Sequence, residues 1–238
     1  MVRMPDPTLS SAPLLGDAQR QTFRELAATT PGIDVEVYAR FGRDPLEPIV
    51  AHGDPHAALG FFGRDPGRDE VQHLEPFIGA GGQLVRRALY EHRHGAPLPD
   101  FEASRTIGRD YFWANTVPYK PLGNKAWSTS IKKRFQPLMA EVLVDIWRGD
   151  DLIVLGREAF FWFALNRDKA LTAALEAFWA REDRYEQSYA VAVRGASGRE
   201  REIRLHPLPH PSPLNATWYR RFPALLRARL DALDRGTR

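Results

Sequence analysis

Apolar residues recur along this chain in two rhythms. At helical spacing, Phe23 and Leu26 share one side of a stretch opened by Asp17, a residue suited to capping, so a helix is predicted to about Ala28. Leu84, Val85, Ala88 and Leu89 do the same within Gly82–His92. Ile131, Phe135, Leu138, Met139, Val142 and Ile146 mark a long helix from Ser128 or Thr129 to about Arg148, which Pro137 kinks or splits. Further helices are predicted over Arg157–Leu165, Lys169–Trp179 and Trp218–Leu233. Three short runs, AALGFF (57–62), YFWANTV (111–117) and DLIVL (151–155), are continuously apolar or nearly so and read as buried strands. Ser188–Val193 and Glu202–Leu205 read as shorter ones. A short strand is also predicted at Val35–Tyr38, inside a turn-rich stretch from Pro31 to Pro55.

Strands alternating with helices predict an α/β fold: a three-layer αβα sandwich around a central, mostly parallel four-stranded sheet. Residues 1–16 are polar and proline-rich and read as a flexible tail; 17–238 read as one domain. At 238 residues, 43% hydrophobic and 26% charged, the composition is that of an ordinary globular protein. No apolar run approaches the roughly 20 residues that span a bilayer, and no signal-peptide core is present, so a cytoplasmic protein without a membrane partner is expected.

The chain has no cysteine, which excludes disulfides, thiolate nucleophiles and thiolate-held clusters. With no HExxH-type pair either, no metal and no cofactor is expected. The net charge of +3 conceals local basic groups: Lys132–Arg134, then Arg199, Arg201 and Arg204, then Arg220, Arg221, Arg227 and Arg229. These are solvated faces or a phosphate-binding edge.

Ligands of such sheets bind beyond the carboxyl ends of the strands. Three segments therefore matter together. In GRDPG (63–67), Pro66 fixes φ and Gly67 lets the backbone approach a ligand; Asp65 is a turn residue or a general base. Asn115 ends a run that should be buried, where its amide either caps the backbone or reads a base edge bidentately. HPLPHPSPLN (206–215) has four prolines in ten residues, a stiff loop that is structural or presents His210 and Leu214 to a ligand. FGRDP occurs twice, at 41–45 and 62–66; the flanks of the first copy make it a surface turn with Asp44 dispensable.

Taken together, the three segments resemble the uracil-DNA glycosylase superfamily over about Val50–Pro223. GRDPGRDEVQHLEPFIGAGGQL (63–84) is similar to the family-four pattern of a Gly-x-x-Pro-Gly turn, an acidic segment, Pro-Phe-Val/Ile-Gly and a helix near Gly-Gln-Leu. ANTVPYKPLGN (114–124) is similar to the family's strand-ending Asn with Lys-x-Pro and Gly-Asn, and HPSPLN (210–215) to its DNA-binding loop. The chain departs from family four in lacking the cysteines of an iron–sulfur cluster. Asp65 also stands where family four has Ala, as in the Gly-Gln-Asp-Pro-Tyr turn of family one.

The resemblance implies a monomeric, monofunctional DNA-repair hydrolase. It would flip uracil out of single- or double-stranded DNA and cut the N-glycosidic bond, leaving an abasic site. The alternatives are action on other deaminated bases, hypoxanthine or xanthine, and non-catalytic binding of DNA lesions. It further implies Asp65 and His210 as catalytic residues, with His206 as a rival for the second role. Gly63, Arg64, Pro66, Gly67, Glu70, Phe77 and Asn115 would line the substrate pocket. Phe77 would stack on the base, Asn115 would read O4 and N3–H, and Glu70 would guard the C5 side that a family-one Tyr fills at the position of Gly67. Ser212, Pro213, Asn215, Lys120, Asn124 and Arg220 would contact DNA, with Leu214 as the wedge in the vacated stack.

Overall fold

The computed structural model describes residues 14–50, 52–123, 125–213 and 216–236. The strands are β1 (His52–Gly53), β2 (Leu59–Gly63), β3 (Phe112–Asn115), β4 (Asp151–Leu155), β5 (Tyr189–Arg194) and β6 (Glu200–Leu208). They form one sheet in the order β1-β3-β2-β4-β6-β5. The inner four are parallel, and β1 and β5 pair antiparallel at the two edges. The αβα reading thus holds, with a sheet two edge strands wider than the expected four.

The inner strands read as unbroken apolar runs because helices cover both faces. Phe61, Trp113, Ile153 and Leu155 point to one side, where they pack with α4 (Ala80–His94), α5 (Phe101–Gly108) and α9 (Ala216–Gly236) through Leu84, Val85, Leu89, Ile107, Phe222 and Leu226. Phe62, Phe112, Ala114, Leu152 and Val154 alternate to the other side. There they meet α1 (Asp17–Ala28), α6 (Thr129–Glu141), α7 (Arg157–Phe161) and α8 (Lys169–Trp179) through Phe23, Phe135, Met139, Phe160 and Leu175.

Val35–Tyr38 is not a strand. It opens α2 (Val35–Arg40), where the Asp34 carboxylate accepts from Val37 N at the helix start and Tyr38 turns into the core. The alternating Val-Glu-Val-Tyr pattern suited either period, and the cap decided it. Two further helices, α3 (Arg68–His73) and α5, are too short to show a helical repeat: α3 buries one apolar side chain, Val71, and α5 has eight residues. Pro137 neither splits nor ends α6. Its missing N–H leaves Lys133 O without the helical donor, and Asn166 Nδ2 donates to that carbonyl at 3.0 Å instead. The helix then widens into a π-type turn over Val142–Ile146.

From β2 the chain crosses to β3 on one side; β4 lies on the other side of β2. The order therefore reverses around β2, and the crevice at the carboxyl ends of β2 and β4 is where a ligand belongs.

Candidate active site

That crevice is a cavity of about 590 Å3, and it gathers all three segments. Gly63 lines it from the end of β2, Arg64, Asp65 and Gly67 from the turn that follows, Asn115 from the end of β3, and Leu155 from the end of β4. Phe77 and Gly79 come from the segment leading into α4, Ala80–Gly82 from its first turn, and His210–Pro213 from the loop after β6. A separate depression of about 490 Å3, near Gln136, Trp162 and Arg194, holds none of these groups.

Asp65 leaves the turn with 1% of its side chain exposed. Thr116, the residue after Asn115, binds the turn from β3: its N–H donates to Gly63 O and Arg64 O, both at 2.9 Å. Its hydroxyl reaches Arg64 O at 2.5 Å and Asp65 Oδ1 at 3.2 Å, with one proton to share between them. Arg64 Nε stands 3.2 Å from Asp65 Oδ2 without the alignment of a hydrogen bond. Burial dominates, and it pushes the carboxyl up to about 6 despite the opposing positive charge of Arg64. Lys132 and Glu158 also act on Asp65 through their charges. They are paired with each other, Nζ to Oε2. The sequence had shown Lys132 only as part of a basic group, whereas it lies buried.

His210 faces the same cavity. Gly156 gives it room at φ +91°, where a Cβ would lie 2.9 Å from that of His210, and Ser212 N donates to His210 O at 2.8 Å to close the turn. Its ring is open to the cavity yet crowded by protein elsewhere. Desolvation, with Arg64 second, pulls its pKa down to about 4, so the imidazole is neutral at pH 7 and can donate one N–H. His206 does not line the cavity. It sits within β6, 3% exposed, with Nε2 2.8 Å from Asp151 Oδ1.

Asn115 is 3% exposed, and its Oδ1 has no hydrogen-bond partner among the described residues. A buried amide oxygen left this way costs roughly 1–3 kcal/mol unless something else satisfies it. Phe77 is half-buried, its ring 5.3 Å from that of Trp113 and resting on Gly63, where a Cβ would come within 2.4 Å of it. Its backbone is left-handed at φ +57°, at a cost of about 1–2 kcal/mol for a residue other than glycine.

Glu70 does not present a free carboxylate. Oε2 accepts from Gly67 N at 2.9 Å and Oε1 from Gly79 N at 2.8 Å, so the side chain ties the turn to the start of α4. Pro66 is buried beneath the turn. Lys120 is withdrawn from the surface expected of it: 4% exposed, it donates from Nζ to Asp34 Oδ2 at 2.9 Å, Pro121 O at 3.0 Å and Gly123 O at 2.7 Å. An ammonium with all three protons engaged has none left for a phosphate. Arg220 is exposed on α9, outside the cavity lining. Asn124, Leu214 and Asn215 lie outside the described residues. Arg68 and Asp69, which carried no distinctive sequence signal, also line the cavity.

The family model described as "Uracil DNA glycosylase superfamily" matches residues 50–234. The chain belongs to the uracil-DNA glycosylase superfamily. No curated protein matches it. Membership makes this superfamily member a DNA glycosylase of base excision repair, with DNA as its substrate. With no cysteine in the chain, the thiolate-held cluster of family-four relatives has no ligands here.

Proposed function

We propose that this glycosylase removes uracil from DNA. The observation that carries the reading is the Asn115 amide, buried at the cavity wall with Oδ1 unpartnered among the described residues. Uracil offers N3–H to that oxygen and O4 to the Nδ2 donors; cytosine offers the reverse pattern at the same edge. A mismatch strands two desolvated polar groups, which is how one amide discriminates.

The base reaches this cavity by flipping out of the helix, and Phe77 stacks on its face. As the C1′–N1 bond breaks, its electron pair leaves with the base, spreading negative charge over N1 and O2. Neutral His210 donates to O2 and stabilises a charge that grows toward the transition state. The ionised Asp65 carboxylate faces the electron-deficient sugar and takes a proton from the water that adds to C1′. The products are an abasic site and the uracil anion, which becomes free uracil on taking up the proton that Asp65 then releases. Ser212 and Pro213 stand at the mouth beside His210, and Leu214 follows them as the wedge.

Glu70 and Gly67 favour a second, broader reading. Position 67 has no side chain, and the Glu70 carboxylate, held by two backbone amides, occupies the space beside it, so a pinned carboxylate and not a tyrosine ring lines that part of the cavity. Other deaminated bases, hypoxanthine and xanthine, are the substrates of that reading. Oligonucleotides carrying one uracil, hypoxanthine, xanthine or thymine, incubated with the protein and cleaved with alkali at abasic sites, separate the two. Cleavage at uracil is expected; its absence in both single- and double-stranded DNA rejects the uracil assignment.

A further inference from the structure

Beneath Phe77 lies a buried ionic knot that takes no part in the chemistry above. Arg86, on α4, has no exposed surface. Its guanidinium donates from Nε to Phe77 O at 2.9 Å, from Nη2 to Pro76 O at 3.1 Å and from Nη1 to Ser104 O at 3.0 Å. Nη2 also lies 2.8 Å from Glu75 Oε1. Glu75, 1% exposed, has Arg105 Nε 3.0 Å from its other oxygen and His52 Nε2 3.4 Å from Oε1.

Burying a guanidinium is costly, and neutralising it needs only the carboxylate. Here the fork does more: it takes two consecutive carbonyls, those of Pro76 and Phe77. Phe77 is the residue whose backbone is left-handed, at φ +57°. The space is cut to fit on both sides. A Cβ on Gly82 would stand 1.9 Å from Phe77 O, and one on Gly108 would stand 2.2 Å from Arg86 Nη1. The guanidinium also lies 4.9 Å from the centroid of Trp113, the ring packed behind Phe77.

We propose that Arg86, held by Glu75, is the positioning residue that fixes the left-handed backbone of Phe77 and so sets the plane on which the base stacks. The inference rests on Phe77 as the stacking ring. Lysine at position 86 would keep the charge and lose the planar fork, a point charge being unable to hold both carbonyls in one plane.

The test is a double-mutant cycle in the full chain. Arg86→Lys and Phe77→Ala are made singly and together, and single-turnover release of uracil is measured at saturating enzyme alongside thermal unfolding. Each single variant should slow release tenfold or more, and the double variant should be no slower than Phe77→Ala alone. Losses that multiply in the double variant, or wild-type release by Arg86→Lys, overturn the proposal. If Arg86→Lys does not fold, Glu75→Gln replaces it in the same cycle with the same expectation. A second arm reads the ring without catalysis, by placing 4-fluorophenylalanine at position 77. One sharp fluorine resonance is expected in the parent, and a broadened or split one in the Arg86 or Glu75 variant. An unchanged line overturns the clamp. A parent protein that releases no base overturns the glycosylase reading instead, and the fluorine comparison still decides the clamp.

Discussion

In the first FGRDP copy, Phe41–Pro45, Gly42 turns the chain at φ +61° with nothing within 4 Å of where a Cβ would stand. In the second, Phe62–Pro66, Gly63 ends β2 under the ring of Phe77, which a Cβ would meet at 2.4 Å. Asp44 is 46% exposed at its side chain, accepts from Leu46 N at 2.9 Å and sits 2.8 Å from Arg24 Nη2. Those partners, the backbone amide first, hold its carboxyl below the usual range. Asp65 is buried, has a shared hydroxyl and an unaligned guanidinium, and is pushed up to about 6. Five identical residues give a neighbourly surface turn in one place and a poised carboxylate in the other. What differs is what the rest of the fold brings to them: Thr116 and Phe77 in one case, Arg24 and solvent in the other.

The sharpest way to break this comparison is the matched pair Asp65→Asn and Asp44→Asn. Asp65→Asn should slow uracil release by roughly 10²–10³-fold or more, and Asp44→Asn should leave it within about twofold, in single-turnover assays. Equal rates for both would dissolve the distinction. The glycines come next. Gly63→Ala should lower the release rate about tenfold or more by displacing the Phe77 ring, whereas Gly42→Ala should leave the rate alone and cost about 1–2 kcal/mol in urea unfolding.

The pH profile separates the copies differently. Release should rise with an apparent pKa near 6 as Asp65 ionises, while His210, at about 4, adds no limb near neutrality. A profile flat from pH 5 to 8 would contradict the buried carboxylate. The smallest effect is on stability, and its sign is the informative part. Because the folded pKa of Asp65 is raised from 3.8, the native state binds the proton more tightly than the unfolded chain. Its contribution therefore falls as pH rises through that window, and the full penalty stands above about 6. Asp65→Asn should then stabilise the protein at pH 7.5, by at most roughly 3 kcal/mol, with little gain at pH 4. Asp44→Asn should destabilise it by about 1 kcal/mol or less through the loss of its local bonds.

Much of this was legible in the residues themselves. The runs 111–117 and 151–155 contain β3 and β4, the run 57–62 covers β2 but for its last residue, Gly63, and α1 ends at Ala28 where the spacing placed it. Apolar runs and capping residues act locally, so they can be read locally. The edge strand β1 is two residues long, and α3 has a single buried apolar residue, Val71, so neither leaves a pattern. At the site, the turn, Asn115 and His210 stood out because special residues cluster there. Thr116, Lys132 and Arg86 did not, since a threonine in a strand run or a basic residue in a helix is unremarkable until its distant partner is known. Glu70 lines the cavity as expected, but its amide partners were hidden, and Lys120 was read as facing ligand, for the same reason. Their partners, the Gly67 and Gly79 amides and the Asp34 carboxylate, come from chain positions that no spacing rule connects.

The Glu70 link has a mechanical consequence. The two oxygens of a carboxylate are a fixed span apart, set by covalent geometry, and here each one grips a different wall of the cavity. The opening between the Gly67 turn and the head of α4 is thus gauged like a gap set by a feeler blade, whatever lies inside. Side chains lining the cavity can be exchanged, and the bases it accepts altered, without resetting that width.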